Sequence, residues 1–159
     1  MIEIKDNFLE EDYFNELYKL VTSEDIEWHY NNKVTDRNTN IESFYFAHNF
    51  LNNGIMQSKW AEAVNPLLSK LDINVPIRVK ANLYPNIGKK HYNKPHVDYT
   101  FPCKGAILYL NSNDAPTTIE DTEVESIANR LVIFDASKPH YSCNPSNVKA
   151  RFNININYN

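Results

Sequence analysis

His96 and Asp98 stand two residues apart in the stretch Lys94-Pro95-His96-Val97-Asp98-Tyr99. In an extended strand, side chains at i and i+2 share a face. An imidazole and a carboxylate can then reach one metal ion while Val97 points away. His140 lies downstream in a strand-like context, and Arg151 follows it on another strand. Two histidines and one carboxylate make a donor set that leaves metal positions open for chemistry. Such a site needs neutral imidazoles and an ionised Asp98. Two nitrogens and one oxygen suit Fe(II), without strong selection against Mn, Co or Ni. Zinc with three protein ligands fits as well.

Arg151 narrows the chemistry. A guanidinium on an interior strand face calls for a carboxylate or phosphate, which it grips with two parallel hydrogen bonds. Tyr84, on the polar face of another strand, can add a hydroxyl to the same acid. A dicarboxylate would then meet the metal at one end and Arg151 at the other. The competing arrangements are an ion pair of Arg151 with Asp135 or another acid, and Tyr84 as a rim residue.

The elements that must position these groups change character near residue 76. Before it, Phe14, Leu17, Tyr18 and Val21 recur at helical spacing and predict a helix over 10–22, begun at Asp6 or Asn7. A second helical pattern runs over 55–71, from Ile55 and Met56 to Leu71. Pro66 must kink it or divide it in two. Between the two lie the aromatic stretches around Trp28, Tyr30, Phe44, Phe46 and Phe50. They read as two strands joined by the polar segment 31–40, either a lid or substrate wall or an ordinary hairpin with core aromatics.

After residue 76 the period is two. Residues 77–84 place Ile77, Val79, Ala81 and Leu83 on one face and Arg78, Lys80, Asn82 and Tyr84 on the other. Strands follow at 103–110, 116–126 and 130–135, and a turn at 136–139 delivers His140. In 148–158, Phe152, Ile154 and Ile156 face one way while Arg151, Asn153, Asn155 and Asn157 face the other. Helices first and many short strands after predict an α+β fold with a jelly-roll catalytic half. Its domain plan is one unit, 1–159, with 1–75 as helical support and substrate-side segments and 76–159 as the core. Asn31-Asn32, Asn52-Asn53, Asn111–Asn113 and Asn144-Pro145 mark turns, because asparagine tolerates left-handed backbone.

The 159 residues suffice for one hydrophobic core, and 42% hydrophobic content excludes a disordered chain. No apolar run reaches membrane-spanning length. The acidic start MIEIKDNFLEEDYF lacks the apolar stretch of a signal peptide, so a cytoplasmic protein is expected. Cys103 and Cys143 then read as free thiols, buried or available to zinc. A net charge of −4 disfavours a general nucleic-acid binder. Residues 78–104, however, carry Arg78, Lys80, Lys89, Lys90, Lys94 and Lys104 against Asp98 alone. If they line a cleft, the cleft favours anions.

The run from Arg78 to Tyr158 resembles the Fe(II)/2-oxoglutarate-dependent dioxygenases, in particular the prolyl-4-hydroxylase-like branch. The resemblance is carried by His96-Val97-Asp98, the distal His140 and Arg151 at its usual distance beyond. The strands Ile107–Asn111 and Leu131–Asp135 and the entry Ile4–Leu9 add to it. It implies a double-stranded β-helix with N-terminal helices packed on one sheet. It also implies Fe(II), 2-oxoglutarate and O2 as cofactors, with succinate and CO2 released and a substrate usually hydroxylated. By resemblance, His96, Asp98 and His140 are iron ligands. Arg151 holds the distal carboxylate of 2-oxoglutarate, helped by Tyr84 and Asn82.

Many prolyl hydroxylases carry lysine where Arg151 stands. Asp114–Thr118 lacks the family's usual glycines. Asn82-x-Tyr84 is shared with the nucleic-acid demethylase branch, but no second arginine follows Arg151. His91, Tyr92 and Tyr99 are candidate substrate-side residues, and the substrate is a small molecule or peptide. Two other functions stay open: a cupin-like metalloenzyme that uses no 2-oxoglutarate, and a binding module that kept the fold without catalysis.

Overall fold

Strand alternation decides the architecture. In the computed structural model, residues 1–35, 41–73 and 75–159 are described. The strands are β1 (Glu3–Lys5), β2 (His29–Asn31), β3 (Tyr45–Asn52), β4 (Ile55–Met56), β5 (Pro76–Pro85) and β6 (His91–Tyr92). They continue with β7 (Lys104–Tyr109), β8 (Thr117–Ile119), β9 (Thr122–Val124), β10 (Leu131–Asp135), β11 (His140–Asn144) and β12 (Ala150–Tyr158). The helices are α1 (Glu11–Thr22) and α2 (Asn65–Lys70), the latter preceded by a 3-10 turn at Ala61–Val64.

A large antiparallel sheet runs β1-β10-β7-β12-β5-β3-β2, with β4 added to β3, and a smaller sheet runs β6-β11-β8-β9. This is a double-stranded β-helix. The apolar face of β12, Ile154 and Ile156, joins Val79, Ala81, Ala106 and Leu108 under the helical residues Leu17, Val21, Leu67 and Leu68. Each Ile, Leu or Val side chain here contributes about 1.5–3 kcal/mol on leaving water, which fixes the helices to one sheet. A second core of Ile107, Tyr109, Ile119, Val124, Val132 and Phe134 fills the space between the sheets. No helix among the described residues is long and apolar enough to cross a membrane.

Helix α1 begins later than Asp6 or Asn7. Asp6 is held by Arg130, and Asn7 turns the chain at a positive φ of 50°. Glu10 occupies the cap without a side-chain bond. The entry is fixed instead by buried Asn129, whose amide bonds both the N–H and the carbonyl of Leu9 at 2.8 Å.

The 55–71 helix is also corrected. Asn53 and Gly54, with φ of 51° and 73°, form a two-residue hairpin turn. That turn sends Ile55 and Met56 into an exposed edge strand, not into a helix. Pro66 then falls in the first turn of α2, where its missing N–H costs nothing. Asn144 is not a turn residue. It ends β11, fully buried, and donates to the Pro85 carbonyl at 2.9 Å. The lid segment reads as strands at β2 and β3, and its residues 36–40 lie outside the described residues.

Gly105 on β7 sits directly opposite Phe134 on the neighbouring strand β10. A Cβ there would lie 2.8 Å from the Phe134 ring and 3.2 Å from the Ala136 methyl. Gly105→Ala is therefore expected to lower unfolding free energy by about 1–3 kcal/mol, the usual cost of overpacking. Chemical denaturation checks this, and unchanged stability would mean that the ring moves freely.

Candidate metal centre

His96 and Asp98 do not sit on a regular strand, contrary to the spacing argument. They lie in an irregular segment pinned by a single backbone bridge. His96 N–H donates to the His140 carbonyl at 3.0 Å, and His140 N–H returns the bond at 2.9 Å. Two residues on, Asp98 N–H donates to the Ala136 carbonyl at 3.0 Å. These bonds draw the segment against the start of β11, and the three side chains converge. One donor atom each from His96, Asp98 and His140 lies within 4.8 Å of the others. Among the described residues, no other group of His, Cys, Asp or Glu is placed to share an ion. Both cysteines are free and buried, outside this group.

The surroundings set the protonation that a metal needs. The Nδ1 of His140 hydrogen-bonds the Lys138 carbonyl at 2.9 Å, which makes Nδ1 the protonated nitrogen and leaves Nε2 as the lone-pair donor. The Phe134 ring stands edge-on to His140 at 4.9 Å and fixes its plane. Burial, and then the neighbouring His140, lower His96 to about 4, so it is neutral at working pH. Burial pushes Asp98 up, but Arg78, His140 and Asn157 outweigh it and hold the carboxyl at about 2. Arg78 reaches one oxygen of Asp98 at 3.1 Å, Asn157 donates to the other at 2.8 Å, and Arg78 also bonds Asn157 at 2.9 Å. The carboxylate is thus ionised and oriented before any ion arrives.

The polar faces of β5 and β12 meet rung by rung: Arg78 with Asn157, Lys80 with Asn155, Asn82 with Asn153 and Tyr84 with Arg151. One end of this ladder supports Asp98. At the other, Arg151 is 1% exposed and lies between the rings of Tyr84 and Tyr109, each centred 5.5 Å away. It donates to the Pro116 and Cys143 carbonyls at 3.2 and 3.0 Å and to the Thr117 hydroxyl at 2.6 Å. Among the described residues no carboxylate pairs with it, Asp135 included, which turns back to Ser137. The Nε of Arg151 is buried without a hydrogen-bond partner among the described residues. Asn82 donates to Asn153 at 2.9 Å, and its own oxygen has no partner among the described residues.

A cavity of about 680 Å³ opens on the metal cluster, lined by His96 and Asp98 with Arg78, Lys80 and Tyr45. The sequence reading did not assign Arg78, Lys80, Tyr45 or Asn157 to the site. Arg78 and Lys80 share the face of Asn82 and Tyr84, so the period of β5 could have found them. Tyr45 and Asn157 depend on strand register. Burial, and then Arg78, bring Lys80 down to about 8, against an opposing pull from Asp98.

The three substrate-side candidates stand apart from the cavity wall. His91 bonds Ser43 at 2.9 Å and pairs with Glu42, Tyr92 is exposed against Tyr141, and Tyr99 packs on Phe101 and under Arg78. His91 is also outside the metal cluster.

Similarity to known proteins lies in the fold. No family profile matches the sequence, and no curated protein matches it. Solved structures do. A prolyl-4-hydroxylase from Pseudomonas putida superposes with a TM-score of 0.70 at 16% identity, over 99% of this chain and 91% of that one. An oxidoreductase of the 2OG-Fe(II) oxygenase family from Burkholderia pseudomallei superposes at 0.71 and 7% identity, over 99% and 84%. The fold is that of the 2-oxoglutarate–Fe(II) oxygenases. A prolyl hydroxylase from Trichoplax adhaerens, in complex with a hypoxia inducible factor peptide fragment, superposes at 0.66 and 16% identity, over 99% and 82%. In the oxygenase fold of this chain, the His-Asp-His cluster and buried Arg151 lie in one barrel interior, joined by the β5–β12 ladder.

Proposed function

We propose that this protein is a 2-oxoglutarate-dependent Fe(II) oxygenase that hydroxylates a peptidyl residue or small molecule. One observation carries the reading. A metal-competent His-Asp-His cluster shares the barrel interior with a buried arginine that has an unpaired N–H and no carboxylate partner among the described residues. A buried cation without an acid is costly unless a ligand supplies one. The donor chemistry fits Fe(II), and the arginine fits an acid co-substrate.

His96, Asp98 and His140 would hold the iron. Arg151 would grip the far carboxylate of 2-oxoglutarate, with Tyr84 fixing the guanidinium plane. Iron with 2-oxoglutarate and O2 supplies oxidative decarboxylation coupled to substrate oxidation. The protein's part is to hold His140 in its Nδ1–H tautomer, keep Asp98 ionised through Arg78 and Asn157, and keep water from the buried end of the ladder. A peptide substrate is supported by the peptide bound to the Trichoplax neighbour, and a small molecule suits the cavity equally.

The test is anaerobic mixing of the metal-free protein with Fe(II) and 2-oxoglutarate. The weak visible charge-transfer band of the chelated complex is expected. Iron bound without the band would remove the co-substrate from the reading, and absence of metal binding would overturn it.

A further inference from the structure

The cavity beside the metal cluster holds polar groups that the proposed roles leave unused. Lys80 reaches the Tyr45 hydroxyl at 3.3 Å, and its ammonium lies 5.2 Å from that ring's centre. Among the described residues no carboxylate forms an ion pair with it. Asp98, the acid on the same wall, is engaged by Arg78 and Asn157 on its two oxygens. Tyr45 accepts from Lys80 and keeps its own proton for another acceptor. It is pinned by stacking on Tyr84 at 5.5 Å and 16° between planes. Thr35 is 8% exposed and lines the same cavity, and its buried hydroxyl has no hydrogen-bond partner among the described residues. The buried Nε of Arg78 is likewise unpartnered among the described residues.

Among the described residues that line the cavity, Lys80 and Arg78 stand with one acid, Asp98, whose charge Arg78 already matches. A bound divalent ion would make it more positive still. An ammonium and a phenol on a cavity wall, with no carboxylate paired to either among the described residues, call for an oxyanion. This place is separate from Arg151, which is buried behind Tyr84 and does not line the cavity.

Building on the oxygenase reading, we infer that the substrate carries its own carboxylate, seated between the Lys80 ammonium and the Tyr45 hydroxyl. An ammonium and a phenol supply two donors, the number that the two oxygens of a carboxylate take. The seat shares its cavity with His96 and Asp98, so an acid anchored there has its carbon chain in the space that borders the metal cluster. A free amino acid and a peptide with an acidic residue share this chemistry.

The test uses matched acids and amides as probes: N-acetyl amino acids against their primary amides, and end-capped tripeptides with Asp or Glu against the same peptides with Asn or Gln. Ligand-observed NMR is run on the intact protein, both metal-free and with Zn(II) and saturating 2-oxoglutarate. The comparison is between wild type, Lys80→Met and Tyr45→Phe. Acids are expected to bind and their amides not. Lys80→Met should weaken the acids about 10- to 100-fold, the range for losing a charged hydrogen-bond partner, and Tyr45→Phe less.

Calorimetry with Zn(II) should show 2-oxoglutarate affinity within about twofold of wild type in both variants, since Arg151 carries it. Equal binding of acids and amides, acid binding indifferent to Lys80→Met, no acid binding at all, or loss of 2-oxoglutarate affinity in Lys80→Met would each overturn the inference. Failure of wild type to bind 2-oxoglutarate would instead remove the oxygenase reading, and Lys80-dependent acid binding in the metal-free protein would still support the seat. Preference for N-acetyl amino acids or for capped tripeptides separates the two sources.

Discussion

Arg151→Met is expected to weaken 2-oxoglutarate binding by roughly 30-fold to several thousand-fold, while Fe(II) is still held. The range follows from about 2–5 kcal/mol for truncating one partner of a buried charge pair. Arg151 is already desolvated, flanked by Tyr84 and Tyr109 and tied to Thr117, Pro116 and Cys143. Its orientation is therefore set before the acid arrives, and little ordering entropy remains to be lost on binding. Arg151→Lys separates charge from shape. It keeps the cation, loses the fork, and is expected to cost about tenfold. Anaerobic titration of the visible band measures both variants. If Arg151→Met bound 2-oxoglutarate like wild type, the co-substrate would have to sit elsewhere, and Lys80 would become the first place to look.

Asp98→Ala is expected to abolish stable metal binding, lowering affinity by at least about 100-fold, since even residues that only support a ligand cost about 10- to 100-fold. Two imidazoles remain, without the anion that offsets a divalent charge. The substitution also leaves Arg78, whose side chain is 24% exposed, without its acid, keeping its hydrogen bond to Asn157 and the Tyr99 ring beneath it. A second effect follows that does not depend on metal: the apo protein should lose stability, because breaking a partly buried pair leaves a charge uncompensated. Asp98→Asn distinguishes the two. It still offers Arg78 an oxygen and so should recover part of the stability, yet it should bind metal no better than Asp98→Ala. Metal content after loading with Fe(II), read beside thermal unfolding of the apo forms, reports both. Unchanged metal content in Asp98→Ala would dismiss the cluster as a metal site.

Much of this was legible in one dimension because β-strands have period two. Phe152, Ile154 and Ile156 lie toward the helices, and Arg151, Asn153, Asn155 and Asn157 toward the smaller sheet, as their alternation requires. The same alternation in β5 put Asn82 and Tyr84 on the interior face. The cluster of His96, Asp98 and His140 was legible from residue type, although the reason given, a regular strand, is replaced by one bridge and a turn.

What depended on pairing was hidden. Asn157 reaches Asp98 only because β12 runs beside β5 in a register that sets Asn157 against Arg78. Tyr45 enters the cavity only because β3 lies on the other side of β5. No local pattern contains those facts. Of the basic stretch, only Arg78 and Lys80 line that cavity, while Lys89 meets Glu42 and Lys104 lies over Tyr158. Ile55 and Met56 were misassigned because apolar residues followed them at helical spacing, and the Asn53-Gly54 turn prevailed over that pattern.

The order of the large sheet carries a consequence for how the molecule is made. β12 follows β5 and β7 in the chain, yet lies between them: Ile154 pairs with Ala81 on one side and Leu108 on the other, and β1 closes on β10. Such distant pairings place folding in the slow regime of milliseconds to seconds, about the range for sheet-dominated chains. Until β12 leaves the ribosome, β5 and β7 present unpaired edges to each other and to neighbouring chains, the interval in which aggregation competes. The strand that ends this exposure is also the one that carries Arg151. Buried Arg151 therefore reaches its place only as the sheet is completed.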